Sequence, residues 1–221
     1  MCADGVAGRL AELLADRPTL HLGADGAPVS FAVSDRVLHF IDQHLTPGTT
    51  TAETGAGLST IVFAMHGAHH TAITNKQDET ERIEAYCAPR GIDLSDVTFI
   101  VGDSADVFPN AGLSGLQMVL IDGRHAFPSP FLDWYYLSRA MVVGGLLIVD
   151  DTQLWTARVL RDFLLEQPGW QHEAELSPQS SCFRLTARID HLAEWTSQPY
   201  VFRQSSRQAR ASRPSRHRSR R

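Results

Sequence analysis

One stretch of the sequence, TTTAETGAGLST at residues 49–60, decides the expected fold. It begins as a short β-prone run, passes an acid at Glu53, and turns through Gly55 and Gly57 into an apolar helical pattern. Gly55 permits a tight turn, and Gly57 lets a ligand approach the backbone. The first turn of the following helix offers free N–H groups to an anion. The stretch therefore predicts a strand, a ligand-binding loop and a helix.

Two common nucleotide-binding loops do not fit these residues. A dinucleotide-binding loop would carry Gly or Ala where Thr60 stands, and no GxxxxGK[ST] phosphate loop occurs in the chain. What remains is an acid two residues before a GxG, at the end of the first predicted strand.

Strand and helix patterns alternate outward from this loop. We predict strands at 49–53, 71–74, 97–101, 116–121 and 146–149, and helices at 34–44, 58–65, 76–89, 132–142 and 154–166. Two further strand-like segments, 170–176 and 181–187, would form a terminal antiparallel pair. The order predicts an α/β Rossmann-like fold, with a doubly wound, mainly parallel sheet of seven strands.

Polar residues follow five successive predicted strands: Glu53, Asn75, Asp103, Asp122 and Asp150. In open α/β sheets, ligands bind beyond the carboxyl ends of the strands. Any one of these residues could instead cap a helix or start a turn. As a set they predict a polar ligand site at one edge of the sheet.

The charge of the chain is unevenly distributed. Eight arginines and no acid lie in the last 19 residues, so the remaining body has 12 of the 20 basic residues against all 25 acids, a charge of −13. We predict three parts: an N-terminal helical extension (1–30), a ligand-binding domain (31–200) and a disordered Arg-rich tail (201–221). The acidic body argues against nucleic acid as the main substrate, although the tail could bind polyanions weakly.

Composition also bears on location and partners. The three cysteines show no CxxC spacing, and neither a secretory signal nor a run of 18 apolar residues occurs. We therefore predict a cytoplasmic protein with reduced thiols and no membrane partner. A homo-oligomer is left open.

The glycine loop resembles motif I of the class I S-adenosylmethionine (SAM)-dependent methyltransferases. This resemblance implies a Rossmann-like domain whose cofactor is SAM. It implies that seven residues surround the cofactor: Glu53, Gly55, Gly57, Ser59, Asn75, Asp103 and Ser104. Members often bind the ribose diol with an acid where this chain has Asn75, so Asp78 is the alternative for that role.

Two later segments, IDGRH at 121–125 and VDD at 149–151, resemble the metal-dependent small-molecule O-methyltransferases. That branch includes the catechol type and the antibiotic-tailoring type, or methyltransferase family 24, and the resemblance spans residues 31–185. It implies that Asp122, Asp150 and Asp151 bind Mg²⁺. Three close carboxylates would repel one another, and a hard divalent cation with oxygen ligands removes that repulsion.

His125 stands where the catechol-type enzymes place a general base, so we predict catalytic roles for His125 and Asp122. An aromatic set follows this loop, and it would either form a substrate wall or pack a helix: Phe127, Phe131, Trp134, Tyr135 and Tyr136.

The expected function is Mg²⁺-assisted O-methylation of a small hydroxylated molecule, a catechol or a natural-product sugar. Some antibiotic-tailoring relatives are hydroxylase-associated, so the resemblance does not fix the reaction. The alternative is a non-catalytic SAM- or metal-binding partner or regulatory protein with the same fold. Two features support it: Asn75 stands where the family often has an acid, and the C-terminal tail is basic.

Overall fold

The structure is a computed structural model that describes residues 3–191 and 193–212. The strands are β1 (His21–Leu22), β2 (Pro28–Val29), β3 (Thr50–Thr54), β4 (His69–Thr74), β5 (Val97–Val101), β6 (Leu116–Ile121), β7 (Met141–Val149), β8 (Trp170–Ser177) and β9 (Ser180–Leu185). The helices are α1 (Ala3–Asp16), α2 (Asp35–His44), α3 (Leu58–Met65), α4 (Gln77–Cys87), α5 (Ser104–Val107), α6 (Ser129–Ala140), α7 (Trp155–Glu166) and α8 (Pro199–Ala211). Short 3-10 helices lie at Ala88–Arg90, Phe108–Asn110 and Trp195–Ser197.

The central sheet has seven strands in the order β5-β4-β3-β6-β7-β9-β8. β3 to β7 run parallel, while β9 is antiparallel to both β7 and β8. The predicted fold, including the antiparallel terminal pair, is therefore confirmed.

Successive side chains of the central strands enter two separate cores. On β6, Met118 and Leu120 join the core under α2 and α3, whereas Val119 and Ile121 join the core under α6 and α7. Side chains alternate between the faces of a strand, so a strand covered by helices on both faces is apolar throughout. That is why β6 and the second half of β7 appear in the sequence as continuous apolar runs.

One boundary differs clearly from the prediction. β7 begins at Met141, although residues 141–142 were predicted as the end of a helix and the strand was predicted from Leu146. The pairing register between β6 and β7 shifts between Leu116 and Met118, and Gly144 has a φ of +94°. The start of β7 is therefore hard to recognise in the sequence, because the apolar residues before Gly144 continue the helical pattern of the preceding segment.

The N-terminal segment contains more than the predicted helix. Leu10 and Leu13 of α1 are buried in the core beneath α2 and α3. β1 and β2 then form a small antiparallel sheet of their own, which places His21 beside the glycine loop. In the described part of this segment, Leu10, Leu13 and Leu20 thus pack into the core of the domain.

The C-terminal segment corrects the prediction of disorder from residue 201. Pro199–Ala211 is helical, Tyr200 contacts Phe163 edge-on at 6.4 Å, and Arg203 pairs with Glu166 on α7. The rest of the predicted tail, residues 213–221, lies outside the described residues. Among the described helices, none has the length and apolar character needed to cross a membrane.

Candidate active site

A cleft of about 420 Å³ opens where the parallel strands end. Ten of the predicted site residues line it: Glu53, Gly55, Gly57, Ser59, Asn75, Asp103, Ser104, Asp122, His125 and Asp151. Asp150 does not line the cleft.

The glycine loop joins the two sides of this cleft. Gly55 has a φ of +89°, and a Cβ at this position would lie 2.5 Å from the carbonyl oxygen of Asp122. Any larger residue would be strained and would also displace the Asp122 segment. Gly57 has an extended φ of −173°, and a Cβ there would lie 3.1 Å from His21 Nε2.

Glu53 is held entirely by the protein, although it lines the cleft. Its carboxylate is 1% exposed, accepts a 2.6 Å hydrogen bond from Ser59 Oγ, and accepts another from Thr60. His70 Nε2 lies 3.2 Å from the same carboxylate. Glu53 therefore anchors the glycine loop to β4, and Ser59 serves that anchor as well. The sequence prediction missed His70, which the β3–β4 register places opposite Thr51.

Asn75 lies exposed at the end of β4, and of the two acids Asp78 and Glu79 that follow it, only Glu79 lines the cleft. Asp78 points to Arg82, whose Nη2 lies 2.5 Å from its carboxylate. Glu79 is 5% exposed and lines the cleft. α4 starts at Gln77 and turns Asp78, the alternative named from the sequence, away from the cleft, whereas Glu79 faces it.

Glu79 is fixed by three partners, two from the junction of β4 and α4 and one from β1. Thr74 Oγ1 donates a 2.8 Å hydrogen bond to it, Lys76 Nζ lies at 3.1 Å, and His21 Nδ1 lies at 2.9 Å. Burial acts to raise the pKa of Glu79, but these partners outweigh it and lower the pKa to about 2. The side chain is therefore an anion at neutral pH. No sequence pattern pointed to His21, because strands of two residues leave no recognisable period.

Asp103 and Ser104 both lie at the cleft, and both also have structural partners. Asp103 caps α5 by accepting a hydrogen bond from the Ala105 N–H, and it pairs with Arg124 at 3.0 Å. Ser104 Oγ donates a 2.7 Å hydrogen bond to Asp133, a buried residue of α6. Burial raises the pKa of Asp133 to about 6, in opposition to the hydrogen bond from Ser104.

A group of three metal-ligating side chains lies on the other side of the cleft. Ligand atoms of Asp122, His125 and Asp151 all lie within 4.8 Å of one another. His125 Nε2 is 2.8 Å from Asp151 Oδ2, and this contact is the main cause that lowers the pKa of Asp151. Burial, followed by the charges of Asp150, Asp151 and Glu53, holds the pKa of Asp122 well above its ordinary value. Among the described residues, none donates a hydrogen bond to the Asp122 carboxylate.

Asp150, which the sequence predicted as a metal ligand, does not line the cleft in this structure. It is 7% exposed, and its carboxylate accepts a hydrogen bond from Ser180 at the start of β9. Asp151, the next residue, has a φ of +53°, and this backbone turn brings its carboxylate to the cleft while Asp150 stays against the sheet. The adjacent acids VDD do not themselves show which one faces the site.

The predicted aromatic set mostly packs a helix. Phe131 and Trp134 contact Phe163 of α7, and Tyr135 and Tyr136 pack against the same core. Phe127 is the exception, with 71% of its surface exposed.

The sheet order, the glycine loop and the acidic edge define the fold of the class I SAM-dependent methyltransferases. The O-methyltransferase TomG from Streptomyces achromogenes, solved with SAM, aligns with a TM-score of 0.61 and 17% identity, over 80% of this chain and 90% of its own. The O-methyltransferase NovP aligns with a TM-score of 0.61 and 15% identity, over 84% and 98%. A methyltransferase from Geobacter sulfurreducens aligns with a TM-score of 0.57 and 16% identity, over 84% and 92%.

Residues 52–152 match the family model described as a methyltransferase domain, that of methyltransferase family 24. This match covers just under half of the chain, and together with the shared fold it supports a SAM-dependent methyltransferase. The comparison with curated proteins gave no match.

Proposed function

We propose that this chain is a cation-assisted O-methyltransferase that acts on a small hydroxylated molecule. The observation that carries the proposal is the group formed by Asp122, His125 and Asp151 at the cleft that contains the glycine loop. An acceptor hydroxyl held by this group would face a cofactor held by the other side of the same cleft.

The cofactor side has the groups that SAM requires. The N–H groups in the first turn of α3 suit a polar ligand. Glu79, as an ionised buried carboxylate, suits the ribose hydroxyls that Asn75 alone would bind less strongly. SAM would supply a methyl group, so that an oxygen–carbon bond forms while the carbon–sulfur bond breaks and the sulfur keeps the electron pair.

The residues present also fit a divalent cation. Asp122 receives no hydrogen bond from the described residues, and the charges of its neighbours raise its pKa, so its ionised form needs a positive partner. We assign Asp122 and Asp151 as the carboxylate ligands, with Asp150 contributing negative charge from behind. Oxygen ligands of this kind suit Mg²⁺ or Mn²⁺. A cation held there would lower the pKa of an acceptor hydroxyl and fix its direction.

His125 is the residue we assign as general base. Its imidazole is held by Asp151 at 2.8 Å, and its backbone carbonyl accepts a 2.5 Å hydrogen bond from Thr156 Oγ1. Both contacts fix the ring at the edge of the cleft, where it can take the proton that leaves the acceptor hydroxyl.

The test is calorimetric titration of SAM into the protein with Mg²⁺ and with EDTA, followed by methyl-transfer assays on a catechol and on a methyl glycoside. We expect SAM to bind in both conditions and a separate Mg²⁺ site to disappear in Asp122→Ala. Absence of SAM binding in both conditions would overturn the proposal.

Two neighbouring variants provide the matched control for the ligand assignment. Asp151→Asn should weaken Mg²⁺ binding by about 10- to 100-fold, whereas Asp150→Asn should leave it within about threefold because Ser180 already holds that carboxylate. The reverse order would restore Asp150 as the ligand predicted from the sequence.

The alternative of a non-catalytic SAM- or metal-binding protein loses part of its support. It depended partly on the missing acid at Asn75, and Glu79 now provides an acid in the same region of the cleft. SAM binding without methyl transfer to any diol would favour it again.

A further inference from the structure

His21 of β1 reaches the cofactor side of the cleft from the N-terminal part of the chain. Its side chain lines the cleft and is only 12% exposed. The family match begins at residue 52, so this part of the cleft comes from a segment that the match does not cover. Sequence patterns typical of the family therefore say nothing about His21, and its role has to be inferred from its contacts.

The imidazole of His21 contacts two separate walls of the cleft. Its Nδ1 lies 2.9 Å from Oε1 of Glu79, near the start of α4. On the other edge of the ring, a Cβ placed on Gly57 would lie 3.1 Å from Nε2, so the ring packs directly against the glycine loop. The ring thus spans the gap between the glycine loop and Glu79.

The backbone around His21 is held by contacts that do not involve the imidazole. Leu20, the preceding residue, is buried in the core, and its carbonyl oxygen accepts a 2.7 Å hydrogen bond from Arg82 Nε on α4. This backbone should therefore stay in place when the His21 ring is removed. Substitutions of His21 can then report on the contact with Glu79 itself.

The two carboxylate oxygens of Glu79 have different partners. Oε1 faces both His21 Nδ1 and Lys76 Nζ, whereas Oε2 accepts a hydrogen bond from Thr74 Oγ1. An ionised carboxylate can only accept, so Nδ1 of His21 carries the proton in this contact. The lysine side chain is 40% exposed, so its ion pair fixes Oε1 less firmly than the buried imidazole does.

Counting acceptor positions shows what these donors leave free. An ionised carboxylate has about four acceptor positions, so three donors leave about one of them for a further hydroxyl, and it is on Oε2. Loss of His21 would free Oε1 and allow the carboxylate to turn. The contact with His21 therefore determines which oxygen of Glu79 is presented to a ligand.

We propose that His21 is a positioning residue for the cofactor, which holds Oε1 of Glu79 so that Oε2 is presented to the ribose of SAM. This inference rests on the proposed function, in which Glu79 binds the ribose hydroxyls. His21 acts through Glu79 and takes no part in bond making. The hairpin of β1 and β2 is thereby part of the SAM site.

The experiment is a double-mutant cycle on SAM affinity, measured by calorimetry with the full chain. His21→Ala should weaken SAM binding by about fivefold when Glu79 is present, because the carboxylate loses a charge-assisted partner. In the Glu79→Ala background, the same substitution should change SAM affinity by less than about twofold, because the effect passes through the missing carboxylate.

Two further measurements separate positioning from general support of the fold. His21→Asn places an amide N–H near the position of Nδ1, so it should restore SAM affinity to within about twofold of the wild type. A SAM analogue without the ribose hydroxyls should bind His21→Ala and the wild type equally well. A purely structural role would weaken the binding of both ligands alike.

His66→Ala is the matched control. The Nε2 of His66 lies 2.9 Å from Asp42 and its side chain is 11% exposed, which closely matches His21, but His66 does not line the cleft. This variant should leave SAM affinity unchanged.

Four results would overturn the inference while the proposed function stands: unchanged SAM affinity in His21→Ala, the same loss in the Glu79→Ala background, an equal loss for the analogue, or no rescue in His21→Asn. Failure of the wild type to bind SAM would overturn the proposed function itself.

Discussion

The two sides of the cleft treat their acids in opposite ways. On the cofactor side, Glu53 and Glu79 are buried and hydrogen-bonded by the protein itself. On the acceptor side, Asp122 is surrounded by other acids and receives no hydrogen bond from the described residues. The acids of the first side are supplied with partners before a ligand arrives, whereas the second side contains one acid, Asp122, whose charge is left for a ligand to neutralise, although Asp151 is already held by His125.

This difference has a physical consequence. A carboxylate that already has its donors stays ionised and keeps its shape, which suits the repeated binding of one cofactor. A carboxylate with a raised pKa must lose its proton when it binds a cation. Its occupancy by the cation therefore depends on both cation concentration and pH. Changes on the acceptor side should thus affect catalysis strongly, and changes on the cofactor side should affect SAM affinity.

The largest effect is expected at Asp122. Asp122→Asn should reduce methyl transfer by about 1,000-fold, because it removes both a cation ligand and the charge that positions the acceptor. SAM affinity should change by less than about twofold. Parallel assays of turnover and SAM binding test this, and an equal loss in both would show that the two sides of the cleft do not act separately.

A substitution at Gly55 should disturb both sides at once. Gly55→Ala places a Cβ 2.5 Å from the Asp122 carbonyl at a φ of +89°, so we expect a loss of about 2–3 kcal/mol in the free energy of unfolding. Thermal or chemical denaturation measures it. Gly112→Ala is the control, because its φ of +63° is similar but nothing lies within 4 Å. Equal losses in the two variants would mean that the Asp122 contact adds nothing.

Part of the fold was accessible from the sequence because strands such as β6 are apolar on both faces. Residues such as Met118 and Val119 enter different cores, yet both are buried, so a run of apolar residues sufficed to predict β6. The predicted strand boundary was wrong at Met141, where the local helical pattern disagrees with the strand pairing. The predicted disorder was wrong at Arg203, where tertiary contacts order a polar segment.

The site was predicted in part, for a similar reason. Strand ends give the positions of Glu53, Asp103 and Asp122, since parallel strands bring their carboxyl ends together. The direction of a side chain in a loop depends on backbone angles that no pattern shows, which is why Asp150 and Asp151 were not distinguished. His21 required a contact across 58 residues to reach Glu79.

A smaller effect is expected at Glu79. Glu79→Gln keeps the shape but removes the charge, so SAM should bind about 10-fold more weakly, with Mg²⁺ binding unchanged. A SAM analogue without the ribose hydroxyls should lose little affinity between wild type and variant. Asp78→Asn is the matched control, because that acid pairs with Arg82 outside the cleft. An identical loss for SAM and the analogue would mean that Glu79 only supports the fold.

The smallest effect concerns Asp133, where we expect a gain in stability. Asp133 is fully buried, and the hydroxyls of Ser104 and Thr54 beside its carboxylate only partly offset the effect of burial on its pKa. Its folded pKa of about 6 exceeds the ordinary 3.8. Between these values the unfolded chain releases the proton while the folded chain holds it, so the stability of the wild type falls as pH rises from about 4 to about 6.

Asp133→Asn removes this loss, and its amide can still accept from Ser104 Oγ while offering a donor to Thr54. Two pKa units correspond to ~3 kcal/mol, which local relaxation reduces, so we expect the variant to be more stable by about 1 kcal/mol at pH 8. The advantage should vanish near pH 4, where the wild-type carboxyl is protonated in both states. Urea denaturation at both pH values, with the exposed Asp106→Asn as control, makes the comparison. A variant less stable than wild type at pH 8 would mean that the ionised carboxylate is required to join the Ser104 segment to α6.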